Sequence, residues 1–492
     1  MNLKPLALLL LTLSCLSAKA NYIFNARCTE ACKAILELRL NDAKELIRAE
    51  KQQNPQNGVT ILLDNYMDYF SLLTSDNKTE YDALSSRKAD RISALEKNKD
   101  NSPYYLYAQA QVYLQWGLLK GEFGDYFASA RDMKKAQNLL RDNTEKYPDF
   151  LPDQVSLAMI NVVYGNIPAN LKKIASFFGI EGDAEEGIAQ MEKLMPQVQK
   201  SKYDFLTDEL IFFLCHSEIN ILHNKTYYNK LIVYLDGMSN KSLLKTYLQG
   251  YVSFKCSHND EAIAYLENKP KTGGYAPIPG INYLLGNAKL CHMDSDANLF
   301  LTAYLNEYKG KNYIKDTYLK LAYYYLFKNE PAQYATYIKL VETKGYLDDE
   351  KDKQALKEAK DAPPNIDLLK ARFYFDGGYF GKALAQIKDT QVTSLKLLRD
   401  KIELNYRLGR IYAALNDVNN AVINYQKAIA SGQASNYYYA SNAALNLGII
   451  YEQKKDTAKA TYYYKLALGM KSHEYQNSID TQAKEGLKRL NK

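Results

Sequence analysis

Five histidines and six cysteines are the residues of this chain with the most obvious chemistry. Three histidines lie beside cysteines: His216 next to Cys215, His258 two after Cys256, and His292 next to Cys291. Those cysteines are 41 and 35 residues apart. Helices stacked at such a period would bring the pairs together, and thiolate with imidazole is a donor set for zinc. Neither C-x-x-C nor H-x-x-x-H occurs, and local spacing of that kind is what marks most such sites. A Cys256–Cys291 disulfide and small thiols buried at packing positions are the competing readings. Near the start of the first helical stretch, Cys28 and Cys32 stand four apart. On a helix this separates Cα atoms by close to the roughly 4.4–6.8 Å that a disulfide tolerates. A local Cys28–Cys32 bridge and two free thiols both remain open. Three intervening residues instead of two argue against a thioredoxin-type redox pair. No G-x-S-x-G, H-E-x-x-H or spaced carboxylate pair appears, so no residue is nominated as catalytic and no cofactor or metal is assigned. Gly179 to Asp183 lacks the phosphate-loop pattern and reads as a turn.

The elements that would position any site are set by an internal repeat. Leu408-Gly409, Tyr412, Asp417, Ala421, Tyr425 and Ala428 recur as Leu447-Gly448, Tyr451, Asp456, Ala460, Tyr464 and Ala467, every pair 39 residues apart. Within each copy, Leu-Gly and the following Tyr mark one face of a first helix, and Ala, Tyr and Ala at i, i+4 and i+7 mark one face of a second. Asp417 and Asp456 fall in the turn between them, where Asp is favoured. Gly409 and Gly448 are placed for close approach of neighbouring helices. A less regular copy precedes them, with Ala371, Tyr374, Ala383 and Ile387 lying 38 residues before Gly409, Tyr412, Ala421 and Tyr425.

This pattern resembles the tetratricopeptide repeat (TPR). The resemblance implies an all-α fold, a right-handed α-solenoid of stacked helical hairpins, with a concave face that binds protein or peptide. On the usual geometry of that repeat, the inner-face positions are Arg372, Glu403, Tyr406, Arg407, Arg410, Asn442 and Asn446. Arg372, Tyr406, Arg407, Arg410, Asn442 and Asn446 are therefore the candidate ligand-binding residues, since Arg and Asn grip carboxylates and peptide backbone. A solvated basic face is the alternative. A second stretch, Gly165-Asn166-Ile167-Pro168 through Phe177-Phe178-Gly179 and Gly182-Asp183 to Met191, resembles a segment of the tetratricopeptide-repeat-39 and inclusion-body-clearance family. That resemblance implies helical repeats and no activity.

Residues 1–20 read as a secretory signal: Lys4, an apolar run from Leu6 to Leu13, and Ala18-Lys19-Ala20 as a small-x-small cleavage site. Mature protein is then expected from Asn21, in the periplasm or at the outer-membrane periphery. Cys15 raises the alternative of lipidation, although Thr12-Leu13-Ser14 matches a lipobox poorly. No later stretch has the ~20 uninterrupted apolar residues of a membrane helix. The formal charge of +7 falls to about +5 without Lys4 and Lys19, too little over this length to imply nucleic acid. A hydrophobic content of 47% is enough for a core along the whole chain. The expected division is a divergent helical half over 21–268, a Pro/Gly-rich joint, and a half over 281–492. Clear repeats are expected near 364–390, 402–430 and 441–470, with a capping helix over 475–492. Trp116 and most of the 43 tyrosines are expected in the core. The function implied is a protein-interaction scaffold, with glycan or small-ligand binding for uptake as the alternative. An enzyme with an unrecognised site is a third, weaker reading.

Overall fold

The computed structural model describes residues 21–271 and 273–490. Residues 1–20, read above as a secretory signal, with Lys4, Cys15 and Ala18-Lys19-Ala20, lie outside the described residues, as do Asn491 and Lys492. Among the described residues the chain is all-α, without a strand. In chain order the helices are α1 (Ala26–Leu36), α2 (Leu40–Gln53), α3 (Val59–Ser75), α4 (Lys78–Leu84), α5 (Arg87–Lys97), α6 (Pro103–Glu122), α7 (Tyr126–Lys146), α8 (Leu151–Gly165), α9 (Lys172–Phe177), α10 (Ala184–Gln199), α11 (Thr207–His216) and α12 (Tyr228–Asp236). There follow α13 (Leu243–Lys255), α14 (Asn259–Glu267), α15 (Pro279–His292), α16 (Ala297–Glu307), α17 (Ile314–Phe327), α18 (Pro331–Thr343), α19 (Glu350–Lys360), α20 (Ile366–Asp376), α21 (Phe380–Ile387), α22 (Leu398–Ala414), α23 (Val418–Gly432), α24 (Tyr439–Gln453), α25 (Thr457–Gly469) and α26 (Gln476–Leu490).

The chain forms two compact units, one of residues up to 70 with 81–210, the other of 71–80 with 211–492. In the first, α1 pairs with α2, α6 with α7, and α8 with α10. Trp116 is buried there, and its indole N–H donates to Asn65 Oδ1 at 2.9 Å. The α8–α10 crossing is backbone to backbone: a Cβ on Gly187 would stand 2.8 Å from the Val162 nitrogen. This is the packing reason for Gly165, Gly182 and Gly187, whereas Gly179 holds a positive φ with open space beside it.

In the second unit, α13/α14, α15/α16, α17/α18, α20/α21, α22/α23 and α24/α25 are antiparallel hairpins. First helices pack on first helices, as α13 on α15, α15 on α17, α20 on α22 and α22 on α24. Repeating units of this kind bury a continuous core only by stacking. The Pro/Gly-rich stretch 268–280, read above as the main joint, lies inside this unit, because α13 and α14 pack on α15 across it. An extra helix, α19, packs on α17 and α18 ahead of α20.

One turn recurs through the hairpins. A residue with positive φ ends the first helix, as at Ser257 (69°), Asn329 (58°), Gly378 (84°), Asn416 (62°) and Lys455 (59°). The amide of the next residue then bonds five residues back, as from Asp417 to the Tyr412 carbonyl at 2.8 Å and from Asp456 to Tyr451 at 2.9 Å. This left-handed closure satisfies carbonyls that a helix end leaves open. Asp417 and Asp456 then cap the second helices, accepting from the amides of Asn420 and Lys459. The same geometry at Ser257 and Asn329 shows that α13/α14 and α17/α18 belong to the TPR-like array although their sequences have drifted. At the C-terminal end, α26 buries Ile479 and Ala483 against the last hairpin.

Candidate functional site

The candidate inner-face residues lie on first helices of the second unit, but most of them are already engaged. Arg372, on α20, donates from one guanidinium nitrogen to both Glu358 oxygens, at 3.1 and 2.9 Å. Glu358 also accepts from the Tyr323 hydroxyl at 2.7 Å. Burial works against its charge, yet Arg372 and Tyr323 hold the carboxyl down to about 2. Arg407, on α22, is buried and pairs one turn away with Glu403, Nε to Oε1 at 2.6 Å. Tyr406 is 1% exposed and sits in the core, with the rings of Tyr438 and Tyr439 at 5.6 and 5.3 Å. On α24, Asn446 donates to Asn442, to its carbonyl at 2.7 Å and to its side-chain oxygen at 2.6 Å. Of the six candidates only Arg410 keeps its charge uncompensated. It stacks over the Phe375 ring at 4.1 Å and makes no ion pair.

The unpaired cations lie mostly elsewhere. Lys255, at the end of α13, stands 5.7 Å from the Tyr251 ring centre. Tyr251 stacks with Tyr247 on one side at 5.9 Å and with His216 on the other at 5.3 Å. Lys351, on α19, lies 4.6 Å from the Tyr313 ring and 3.3 Å from the Tyr283 hydroxyl. That hydroxyl donates to Asp316 at 2.6 Å, and Asp316 pairs with Lys320. Lys225 touches only the Ser257 hydroxyl, at 3.4 Å. Among the described residues, none of Lys225, Lys255, Lys351 and Arg410 has a carboxylate at ion-pair distance.

Burial and neighbouring charges shift several of these groups. Burial, then repulsion from Lys320 and Lys255 against the pull of Asp316, brings Lys351 down to about 8. Burial and then Lys225 lower Lys255. Burial lowers Lys225 too, with Arg410 adding to it and Asp376 opposing it. His216 is pushed down to about 4 by burial and then by Lys255, so its ring is neutral at pH 7. Lys351 is exposed and Lys255 half-buried by surface area.

Sequence reading missed most of these cations and rings. The register that selects Arg410 one residue after Gly409 selects Tyr251 one residue after Gly250, and Tyr247 and Lys255 follow at the same offsets as other inner positions. Applying that register to α13 would have found them. Lys351 had no such signal, because α19 belongs to no repeat.

The cysteines correct two readings. Cys28, Cys32, Cys215, Cys256 and Cys291 are all free and buried, so the Cys28–Cys32 bridge is absent, as is a Cys256–Cys291 one. Cys28 Sγ donates to the Ile23 carbonyl at 3.6 Å and accepts from Asn57 at 3.8 Å, which turns it away from a partner thiol. Among the described residues no three His, Cys, Asp or Glu side chains gather closely enough to hold a metal ion. Cys215, Cys256 and Cys291 are buried, and the neighbouring His216, His258 and His292 are half-buried.

No protein-family model matches the chain, and no curated protein matches it. Among solved structures, the hetero-tetramer Cut9–Hcn1 of APC/C aligns over 94% of this chain and 95% of its own, at 12% identity and a TM-score of 0.27. At that score the likeness adds nothing to the fold described above. Among the described residues no helix is long and apolar enough to cross a membrane.

Proposed function

We propose that this protein is an exported scaffold that holds a protein or peptide partner on its second unit, in the periplasm or at the outer-membrane periphery. TPR-like hairpin arrays offer shape and side chains to a partner, and this unit offers rings and unneutralised cations. The observation that carries the reading is that, among the described residues, Lys225, Lys255, Lys351 and Arg410 all lie in this unit without a carboxylate at ion-pair distance. Cations without a paired carboxylate are open to an anionic partner. Export is supported by the sequence of residues 1–20, and Cys15 leaves lipidation as the second form of it.

The test is mild crosslinking of the native protein followed by affinity capture. A specific partner, with crosslinks on α13, α17, α19 or α22, is the expected result. Saturable binding on a glycan array with no protein captured overturns the reading in favour of ligand uptake. Turnover in a hydrolase screen overturns it in favour of an enzyme. The mass of the mature N-terminus tests export: a start at Asn21 supports it, a lipid on Cys15 makes it anchored, and an intact Met1 overturns it.

A further inference from the structure

The Phe177-Phe178 pair of the 165–194 stretch belongs to the first unit, and its leading ring is not core. Phe177, the last residue of α9, is 73% exposed, and Phe127, near the start of α7, is 52% exposed. Their ring centres lie 5.7 Å apart. The half-buried Phe178 touches both, at 4.9 Å from Phe127 and 5.1 Å from Phe177. Lys134 of α7 ties this cluster together, donating to the Gly179 carbonyl at 3.0 Å. Burial is what large apolar rings gain most from, so rings gathered at the surface mark a place of contact with something apolar.

The charges beside the rings say what that is. Arg131 lies one turn after Phe127 in α7, and Lys173 one turn before Phe177 in α9. Each exposed ring therefore has a cation on its own helix face. The Arg131 side chain is 61% exposed and reaches only Asp132, at 3.7 Å. Asp132 is already held by Lys88 at 2.7 Å and Lys120 at 2.6 Å, so Arg131 adds a charge that this carboxylate does not cancel. Among the described residues, neither Lys134 nor Lys173 has a carboxylate at ion-pair distance. Asp125, two residues before Phe127, is turned to the α7 amides and accepts from Ala128 at 3.2 Å. Lysine is depleted from protein interfaces and favoured at anionic lipid surfaces. Exposed rings backed by long cationic side chains suit the edge of a bilayer, where the rings enter below the headgroups and the cations reach back to phosphate.

We infer that this face of the first unit docks on an anionic phospholipid surface, with Phe127 and Phe177 inserted at the headgroup boundary and Arg131, Lys134 and Lys173 on lipid phosphates. The docking is independent of what the second unit holds.

The experiment is co-sedimentation of the purified, unlipidated chain from Asn21 with vesicles of phosphatidylcholine and phosphatidylglycerol at about 3:1, beside vesicles of phosphatidylcholine alone. Binding is expected to the anionic vesicles, weaker to the neutral ones, and weaker as salt rises. The double variant Phe127→Ser/Phe177→Ser is expected to weaken it by about tenfold or more. Val233→Ser/Leu299→Ser removes two side chains of the second unit that are 70% and 62% exposed, and is expected to leave it unchanged. A further variant, Phe177→Trp, reports insertion directly: its fluorescence is expected to shift to the blue with anionic vesicles, whereas Trp116, 1% exposed, is already shielded. No blue shift overturns the inference. So does equal binding to neutral and anionic vesicles, or equal weakening by the two serine double variants. Capture of a protein partner through Phe127 and Phe177 without binding to either vesicle overturns it as well, and assigns the face to that protein.

Discussion

The Tyr425 ring on α23 lies against the α-carbon of Gly409 on α22, so that a Cβ at 409 would stand 2.6 Å from ring carbon Cδ1. Sixteen residues separate the two, and the contact repeats at that spacing. It recurs between Gly448 and Tyr464, at 2.5 Å, and between Gly250 and Leu266, at 2.5 Å. This contact defines the hairpin, since the large side chain of the second helix fills the gap left by the glycine of the first. Gly409→Ala is expected to destabilise the second unit by about 1–3 kcal/mol through overpacking, against a gain of about 1 kcal/mol in helix propensity. Gly381→Ala, where an added Cβ meets nothing within 4 Å, keeps only the gain. Urea unfolding of the two variants checks the difference in sign.

The buried Glu403–Arg407 pair is expected to behave asymmetrically. Removing one partner by Glu403→Ala leaves a guanidinium buried without its anion, at a cost of about 3–5 kcal/mol. The double variant Glu403→Leu/Arg407→Met is expected to recover most of it. Equal losses in the single and double variants would show that packing and not charge is at stake.

In the first unit, Asp153 predicts a pH dependence. It is fully buried, accepts from Asn143 Nδ2 at 2.7 Å, and burial lifts its carboxyl to about 8. Its Oδ1 and the Asn143 Oδ1 both lack a donor. A proton on Asp153 Oδ1 turns one of these idle acceptors into a donor. The folded state then holds a proton that the unfolded chain, titrating near ~3.9, has released. Stability falls as pH rises from about 4 to about 8, by the proton-linkage slope. Asp153→Asn is expected to flatten that slope and to stabilise the unit at pH 8. Glu209, raised to about 7 by burial, leaves a smaller slope of the same sign. Melting temperatures across this range check both.

The thiols are expected to be silent in the folded protein. Burial raises Cys28 to about 12 and Cys256 to about 11, with Cys32, Cys215 and Cys291 raised as well. The thiolate is the reactive form, so a thiol reagent should label the native chain slowly. Unfolding without reductant should expose five reactive thiols in the chain from Asn21. A count of three would establish a disulfide that the structure does not contain.

Lys455 holds a left-handed φ of 59° that glycine adopts more easily. Lys455→Gly is expected to raise stability by up to about 1 kcal/mol. Thermal unfolding of this variant, beside Gln453→Gly at the end of α24 as a helical control expected to lose about as much, checks it.

Residue order by itself determined the hairpins of the last repeats, the Asp residues in their turns and the all-α fold. Each of these is local: glycine, tyrosine and alanine at fixed offsets select a helix face, and Asp after a left-handed residue starts the next helix. Which charges are free was decided only in three dimensions. Arg372 and Arg407 have the residue type of a binding group, but Glu358 and Glu403 neutralise them. Lys255 and Lys351 come from a drifted repeat and from a helix outside any repeat, and neither has a carboxylate at ion-pair distance among the described residues. An ion pair depends on a few ångströms between side chains from different turns of the chain. No spacing along the sequence encodes that distance, so the free charges became legible only once the helices were packed.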